Sequence, residues 1–222
     1  LSVALIDRND FGSGTSFNHL RTIHGGLRYL QTLDLPRARE SVRERRALAR
    51  IAPWAVAPLP FVLPLYPSLM KGPLAMRAGF LLDRLVAHDR NDGVPAAHRL
   101  PAGRVLSAGA ARERYPALRS LDIAGAAVWH DYVTTDADRL TLAWGLSAAV
   151  HGAQLANYVE AESLDRAAGS TGLWQVDALD RVLGGRLRIT ARAVVNATGA
   201  HVNRLLAHGS AAVELPLLQA VN

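Results

Sequence analysis

Apolar residues recur along the chain with the period of a strand in some segments and of a helix in others, and these segments predict a mixed α/β fold. Short apolar runs bounded by glycine, proline or polar residues predict strands, whereas longer amphipathic stretches with capping residues predict helices. The predicted strands are 2–7, 59–65, 123–131, 154–158, 159–164, 173–179, 187–190 and 193–196, and the predicted helices are 26–31, 34–51, 74–87, 108–115, 135–150 and 201–207. The first strand is expected to be parallel and buried and 193–196 to be buried, whereas 159–164, 173–179 and 187–190 are expected to form an antiparallel meander. Segment 59–65 is bounded by prolines and is expected to be an edge strand or an extended crossing, and Ser107 is expected to cap the helix at 108–115. This order favours an α/β nucleotide-binding layer interleaved with a second sheet that carries a pocket.

The longest predicted helix, 34–51, begins with an N-cap signal at Asp34 and a proline in its first turn. Ala38, Val42 and Ala49 recur at helical spacing and are expected to pack inward. Its charged residues are interpreted as a mostly solvated face, so no chemistry is assigned to the helix. They are Arg37, Arg39, Glu40, Arg43, Glu44, Arg45 and Arg46.

Two glycine-rich stretches, Gly12–Ser16 and Ile23–Leu30, lie between the first strand and this helix. Glycine has no Cβ to hold a ligand away and adopts positive φ readily, so such loops let backbone amides contact an anionic or flat ligand. Asp7 ends the first strand, where dinucleotide-binding folds place an acid on the ribose hydroxyls. From this segment alone, an aspartate that caps a turn at residues 8–10 is the better interpretation.

Composition and charge exclude several kinds of site and partner. The chain has 222 residues, half of them apolar, which is enough for a core, and its lack of cysteine excludes disulfides and thiolate metal sites. The net charge is +6, but the basic residues are interleaved with acids and do not alternate with aromatics, so nucleic-acid binding is not expected. The eight histidines lack the spacing of a metal site. Prolines interrupt the longest apolar stretch, 55–70, which is therefore not a membrane span.

The first residue and two histidines give further expectations. Leu1 opens inside a strand pattern without methionine or a signal-peptide pattern, so the sequence is expected to be a fragment of a cytoplasmic protein. His24 is expected to be a loop histidine satisfied by backbone groups rather than a base. His130 and Asp131 are neighbours on a predicted strand and point to opposite faces, which favours a structural role over a catalytic dyad.

Three blocks of the chain resemble the FAD-dependent glycerol-3-phosphate dehydrogenases, which belong to the D-amino-acid-oxidase-like flavoproteins. The blocks are Gly12-Ser13-Gly14-Thr15-Ser16, Ile23-His24-Gly25-Gly26-Leu27-Arg28-Tyr29-Leu30 and Val195-Asn196-Ala197-Thr198-Gly199. The second block is highly specific, and the third is shared by many flavoproteins. The resemblance runs over nearly the whole chain. It implies FAD as cofactor on a FAD-binding Rossmann-like layer, with a second, mostly antiparallel sheet forming the substrate pocket.

The resemblance also implies roles for individual residues, although it names no catalytic residue within the chain. Arg28 and Tyr29 would face the substrate, because a guanidinium binds phosphate or carboxylate through two hydrogen bonds. The residues implied to line the cofactor are Asp7, Gly14, Thr15, Ser16, His24, Gly25, Gly26, Val159, Thr198 and Gly199.

The activity implied for the whole protein is hydride transfer from sn-glycerol 3-phosphate to flavin, which yields dihydroxyacetone phosphate and passes electrons to a quinone or to oxygen. Peripheral association with the inner face of the cytoplasmic membrane belongs to the same expectation. Segment Phe17–Thr22 departs from the family pattern, so a 2-hydroxy acid or an amine is an alternative substrate. A truncated, non-catalytic fragment is the third hypothesis.

The predicted division of the chain follows these roles. It consists of a FAD-binding part at 1–58, a substrate or cap part at 59–132, a second FAD-binding part with the meander at 133–213, and the start of a return to the substrate part at 214–222.

Overall fold

The computed structural model describes residues 1–169, 172–208 and 215. The chain splits into two compact units, one made of Leu1–His19 with Ala137–Asn222 and the other of Leu20–Asp136. The strands are β1 (Ala4–Ile6), β2 (Thr22–Ile23), β3 (Val56–Leu65), β4 (Arg104–Ser107), β5 (Gly125–Thr134), β6 (Gln154–Ala156), β7 (Val159–Arg166), β8 (Trp174–Asp180) and β9 (Arg186–Ala191). The helices are α1 (Leu27–Leu30), α2 (Leu35–Ile51), α3 (Pro73–Val86), α4 (Ala108–Arg114), α5 (Ala137–Val150) and α6 (Val202–Leu206).

The first unit, Leu1–His19 with Ala137–Asn222, combines a parallel strand pair with an antiparallel meander. β1 and β6 run parallel with Leu5 opposite Leu155, as the crossover through a helix requires. β7, β8 and β9 follow one another antiparallel in chain order. The predicted parallel strand, the helix predicted at 135–150 and the meander are therefore confirmed.

The second unit, Leu20–Asp136, is built on an antiparallel sheet with β5 at its centre. β3 pairs with β5 along ten residues, from Val56 opposite Thr134 to Leu65 opposite Gly125, and β2 and β4 also pair with β5. β3 lies at an edge, as its prolines predicted. Tyr132, 1% exposed, packs with Ala49 in the core between the sheet and α2.

Capping chemistry explains where two of the predicted helices begin. The Asp34 carboxylate accepts a hydrogen bond from the backbone N–H of Arg37 at 3.2 Å, and Pro36 needs no donor in the first turn of α2. The Ser107 hydroxyl accepts one from the N–H of Ala110 at 3.3 Å and starts α4. Both starts were predicted correctly.

Two strand predictions need correction. Segment 193–196 was predicted as a buried strand but forms no ladder within the described residues, and Val195 is 88% exposed. An apolar run becomes a strand only where a neighbour accepts its backbone hydrogen bonds. The first strand is parallel as predicted but is not buried, because Leu5 is 48% exposed beside its single described neighbour β6.

The predicted functional parts differ in their boundaries from the two compact units, which change at 19/20 and 136/137. The four-part division stays a prediction. Its last part, 214–222, lies outside the described residues apart from Leu215.

Asp89 joins helix α2 to the segment that follows α3. Its side chain is 12% exposed and accepts hydrogen bonds from the guanidinium groups of Arg39 and Arg46. The hydrogen bond from Arg39 holds the pKa of the Asp89 carboxyl well below its usual range. Two arginines that the sequence placed on a solvated face are thus part-buried anchors of α2.

We expect Asp89→Asn to lower the free energy of unfolding at pH 7 by about 1–3 kcal/mol, because charge-assisted hydrogen bonds are lost. A folded-state pKa below the unfolded one stabilises the protein above the unfolded pKa of about 4, and the contribution disappears as pH falls through the folded value. Urea unfolding of parent and variant should therefore differ at pH 7 and converge in acid. A difference that is constant down to pH 3 would contradict the ionic role.

Candidate functional site

Asp7 lies at the carboxyl end of β1 and is tied to two neighbouring segments. Its carboxylate accepts a hydrogen bond from the N–H of Asn9 at 2.9 Å, which is the turn-capping geometry. Its carbonyl accepts one from the N–H of Val159 at 2.8 Å, and its own N–H donates to Ala156 at 3.0 Å. The structure therefore brings Asp7 and Val159 together, while their predicted contacts with ribose and adenine stay predictions.

The loop after β1 exposes its backbone at Gly14. This glycine has a φ of +68°, and a Cβ built on it would meet no atom within 4 Å. It opens the 3-10 turn Gly14–Ser16, in which Thr15 and Ser16 are also exposed. Gly12, in contrast, has its α-carbon turned towards Thr141 on α5, with 3.4 Å between a Cβ and that side chain. The predicted cofactor residues of this loop are those accessible to a ligand.

The Asn-Ala-Thr-Gly block forms an ordered loop before α6. Both the N–H and the hydroxyl of Thr198 donate to the side-chain oxygen of Asn196, at 3.2 and 2.7 Å. Gly199 has a φ of +57° with open space around its α-carbon. Arg8 Nη2 lies 3.1 Å from His201 Nε2, which places this loop beside the turn that follows Asp7.

The second glycine pair serves the packing of its own unit. Gly25 and Gly26 are buried, and a Cβ on Gly25 would stand 2.0 Å from Arg45 Nη1. Gly26 has a φ of +81°, and its Cβ would stand 2.9 Å from Ser41 Cβ and 3.1 Å from the backbone of Ala38. The close packing of this loop on α2 is by itself a reason for glycine at both positions. Their predicted contacts with the flavin stay predictions.

His24, Arg28 and Tyr29 project from this segment. The His24 side chain is 68% exposed, and its Nδ1 lies 3.6 Å from Asp131 Oδ2, so a carboxylate rather than backbone groups faces the ring. Arg28 is exposed, and its guanidinium has no salt bridge or hydrogen bond within the part of the chain that the structure describes. Tyr29 is half-buried, with the Arg37 guanidinium 5.8 Å from its ring centroid.

A buried ion pair behind the loop was missed from the sequence. The side chains of Arg45 and Asp131 are 6% and 5% exposed and form a salt bridge, and Asp131 also accepts a hydrogen bond from Gly25 N–H at 2.8 Å. The interpretation of Arg45 as a solvated residue was wrong, because the helical pattern does not show which charged position meets a carboxylate 86 residues away. The expectation that Asp131 is structural rather than paired with His130 agrees with these contacts.

His130, the residue before Asp131, is partly buried. Its Nδ1 is buried and has no hydrogen-bond partner in the described part of the chain. Burial, together with the nearby Arg104 cation, lowers the pKa of His130 below its ordinary value, so the ring is neutral at pH 7. The cavity beside the ion pair measures about 10 Å³, room for one water molecule at most. This cavity therefore offers no space for a cofactor or substrate behind the His24–Tyr29 segment.

The chain is similar to known proteins over most of its length. The family described as FAD dependent oxidoreductase matches residues 1–221. The chain belongs to this family. Among its relatives, mitochondrial glycerol-3-phosphate dehydrogenase from Rattus norvegicus is 38% identical over 210 residues, which cover 90% of this chain and 27% of that protein. The chain thus spans little more than a quarter of that relative's length.

Two solved structures share the fold. Glycerol-3-phosphate dehydrogenase from Bacillus halodurans, complexed with FAD, matches 89% of this chain and 29% of its own, with a TM-score of 0.57 and 25% identity. L-amino acid deaminase from Proteus vulgaris matches 93% of this chain and 44% of its own, with a TM-score of 0.55, and at 17% identity it shows the fold alone. The predicted α/β fold, with a Rossmann-like layer and an antiparallel sheet, is confirmed.

Proposed function

We propose that the whole protein to which this chain belongs oxidises sn-glycerol 3-phosphate to dihydroxyacetone phosphate with FAD. The observation that carries the proposal is the Ile23–Leu30 segment, which exposes the Arg28 guanidinium, unpaired among the described residues, just after the two buried glycines Gly25 and Gly26. The name of the rat relative and that of the FAD-bound bacterial structure support it. Because the chain spans only part of these proteins, the activity is proposed for the complete protein.

The residues proposed to hold FAD fit that group where their backbone is open. Gly14 and Gly199 combine positive φ with free space at the α-carbon, so neighbouring amides and hydroxyls can approach phosphate oxygens. FAD held by these residues would supply the redox chemistry of the reaction. The full proposed set is Asp7, Gly14, Thr15, Ser16, His24, Gly25, Gly26, Val159, Thr198 and Gly199.

Arg28 and Tyr29 are proposed to bind the substrate. Arginine stays protonated at any working pH, and its planar fork of donors matches two oxygens of a phosphate. The Arg28 side chain is available for this task because no acidic group neutralises it within the described residues. Tyr29 adds a phenol that can donate a further hydrogen bond.

The direct test is to purify the full-length protein and record its flavin absorbance. Addition of sn-glycerol 3-phosphate without an acceptor should bleach the oxidised flavin, and addition of oxygen or a quinone should restore it and identify the acceptor. A colourless, folded protein would contradict the proposal. Bleaching by a 2-hydroxy acid or an amine, with none by phosphate esters, would replace the proposed substrate.

A peripheral contact with a membrane surface is also proposed. No helix in the described part of the chain is long and apolar enough to span a membrane. Helix α3, however, exposes a stripe formed by Leu74, Leu81 and Leu85, each more than 60% exposed and all on one face of the helix. Arg77 and Arg84 flank this α3 stripe, and such cations favour an anionic lipid surface.

We expect Leu81→Glu to lower binding of the full-length protein to vesicles of phosphatidylcholine and phosphatidylglycerol about tenfold, because burial of a leucine in the interface is replaced by a charge. Co-sedimentation measures the bound fraction. The control is Leu183→Glu, which changes a leucine that is 84% exposed in the turn between β8 and β9. Equal binding by the parent and Leu81→Glu would exclude α3 as the contact.

A further inference from the structure

The carboxylate of Asp131 contacts two successive residues of the loop that leads to Arg28. Oδ1 accepts the Gly25 N–H at 2.8 Å and also bonds Arg45. Oδ2 accepts from Trp129 Nε1 at 3.3 Å and lies 3.6 Å from His24 Nδ1. Both oxygens of one buried carboxylate are thus engaged, and two of its contacts are with the loop.

Arg45 supports the same loop from helix α2. Its guanidinium lies against the α-carbon of Gly25, and its Nη1 also donates to the carbonyl of His130 at 3.3 Å. The loop is therefore held between a strand on one side and a helix on the other. The cavity of about 10 Å³ at this place gives the loop no room to relax inward.

We propose that Asp131 and Arg45 are positioning residues that hold His24–Gly26 so that His24 faces the flavin and Arg28 faces the substrate. The proposal rests on the proposed function, since it concerns the same binding segment. It assigns the pair no contact with substrate or cofactor. The pair acts through the backbone of Gly25 and through the side of the His24 ring that carries Nδ1.

The loop needs such support because α1 cannot position itself. Leu27–Leu30 is a single turn, and a single turn is not stable by its own hydrogen bonds. Its start depends on Gly26, which has a left-handed conformation and whose carbonyl accepts the N–H of Tyr29 at 2.9 Å. A shift of Gly25 is therefore transmitted to Arg28, three residues further on.

A contribution to stability alone is a weaker explanation of the pair. Two opposite charges that are both buried lose their hydration, and an apolar pair of similar volume often serves stability as well or better. The distinct property of this pair is that it offers a fixed acceptor to Gly25 and a charge to His24. Stability and positioning can therefore be separated by replacing both partners at once.

The experiment uses the full-length protein carrying both Asp131→Leu and Arg45→Met, which removes the two charges together and leaves neither of them buried alone. We expect the urea midpoint to change little, because the relief from burying two charges offsets the acceptor that the Gly25 N–H loses. The KM is measured on the flavin-bound fraction of the variant. Hydrogen exchange in peptides covering residues 22–30 should become faster. The KM for sn-glycerol 3-phosphate should rise about tenfold or more, because a small displacement of a binding group is costly.

Asp89→Asn is the matched control, because it also breaks an ion pair of α2, and the described partners of the Asp89 side chain are Arg39 and Arg46 rather than residues of the loop. It should lower stability without changing exchange in 22–30 or the KM. Asp131→Asn, which keeps an oxygen for Gly25 and removes the charge, is the second variant and should raise the KM by itself. Parent-like KM and exchange in the folded double variant, or in Asp131→Asn if the double variant fails to fold, would overturn the proposal.

The two proposals fail in different ways. If the parent is not bleached by sn-glycerol 3-phosphate, the proposed function is wrong. The exchange rates of 22–30 still report whether the pair holds the loop. If the parent is bleached and the variants keep its KM, only the positioning role is wrong.

Discussion

Arg28→Ala is expected to raise the KM for sn-glycerol 3-phosphate about 10- to 100-fold while the flavin content stays unchanged. A hydrogen-bonded charge contributes about 1.5–3 kcal/mol, and each 1.4 kcal/mol is a factor of ten in affinity. Because the side chain is exposed and has no described partner, its removal breaks no contact within the protein. Steady-state kinetics and flavin absorbance of the full-length variant measure the two quantities.

Three comparisons sharpen this experiment. Arg28→Lys keeps the charge but loses the planar fork, so its KM should fall between those of the parent and Arg28→Ala. Arg43→Ala removes an exposed arginine of α2 and should leave the KM unchanged. Oxidation of glycerol, which lacks the phosphate, should be equally slow in the parent and in Arg28→Ala. Loss of flavin in parallel with loss of affinity would show that Arg28 is a structural residue instead.

Gly26→Ala should strongly destabilise the protein, lowering the free energy of unfolding by about 2–5 kcal/mol. Alanine in a left-handed conformation costs about 1–2 kcal/mol, and overpacking adds about 1–3 kcal/mol. The new methyl group would stand 2.9 Å from Ser41 Cβ and 3.1 Å from the backbone of Ala38, and that backbone cannot move without moving α2. Urea unfolding of the full-length protein provides the measurement.

Gly79→Ala is the matched control for this substitution. Gly79 lies within α3, where a Cβ would meet nothing within 4 Å, and alanine is favoured over glycine in a helix by about 0.5–1 kcal/mol. The control should therefore be slightly more stable than the parent. A Gly26→Ala protein as stable as the parent would show that the loop does not pack on α2 in this way.

Local signals predicted most of the secondary structure of this chain. Asp34 and Ser107 cap the helices that they were expected to cap, and the proline-rich β3 lies at a sheet edge. The strand predicted at 193–196 was wrong because strand formation depends on a partner that a local pattern does not contain. Prediction succeeded where neighbours in sequence decide the structure.

The two glycine pairs of the candidate site also show what a local pattern predicts and what it does not. From the sequence, all of these glycines were interpreted as leaving room for a ligand. In the structure Gly14 does have open space at its α-carbon, whereas Gly25 and Gly26 are filled by α2. A glycine in the sequence indicates only that a Cβ is not tolerated or not needed there. Whether the protein itself or a ligand fills the space beside its α-carbon is decided by the tertiary packing.

By itself the sequence determined the family, the α/β class and the segment that carries Arg28, because these depend on the order of elements and on residues close together in the chain. Only the tertiary structure revealed the buried pair of Arg45 and Asp131 and its hold on Gly25. The reason is physical. A charged residue on an amphipathic helix prefers water unless a distant part of the chain brings a counter-charge, and that meeting is decided by packing.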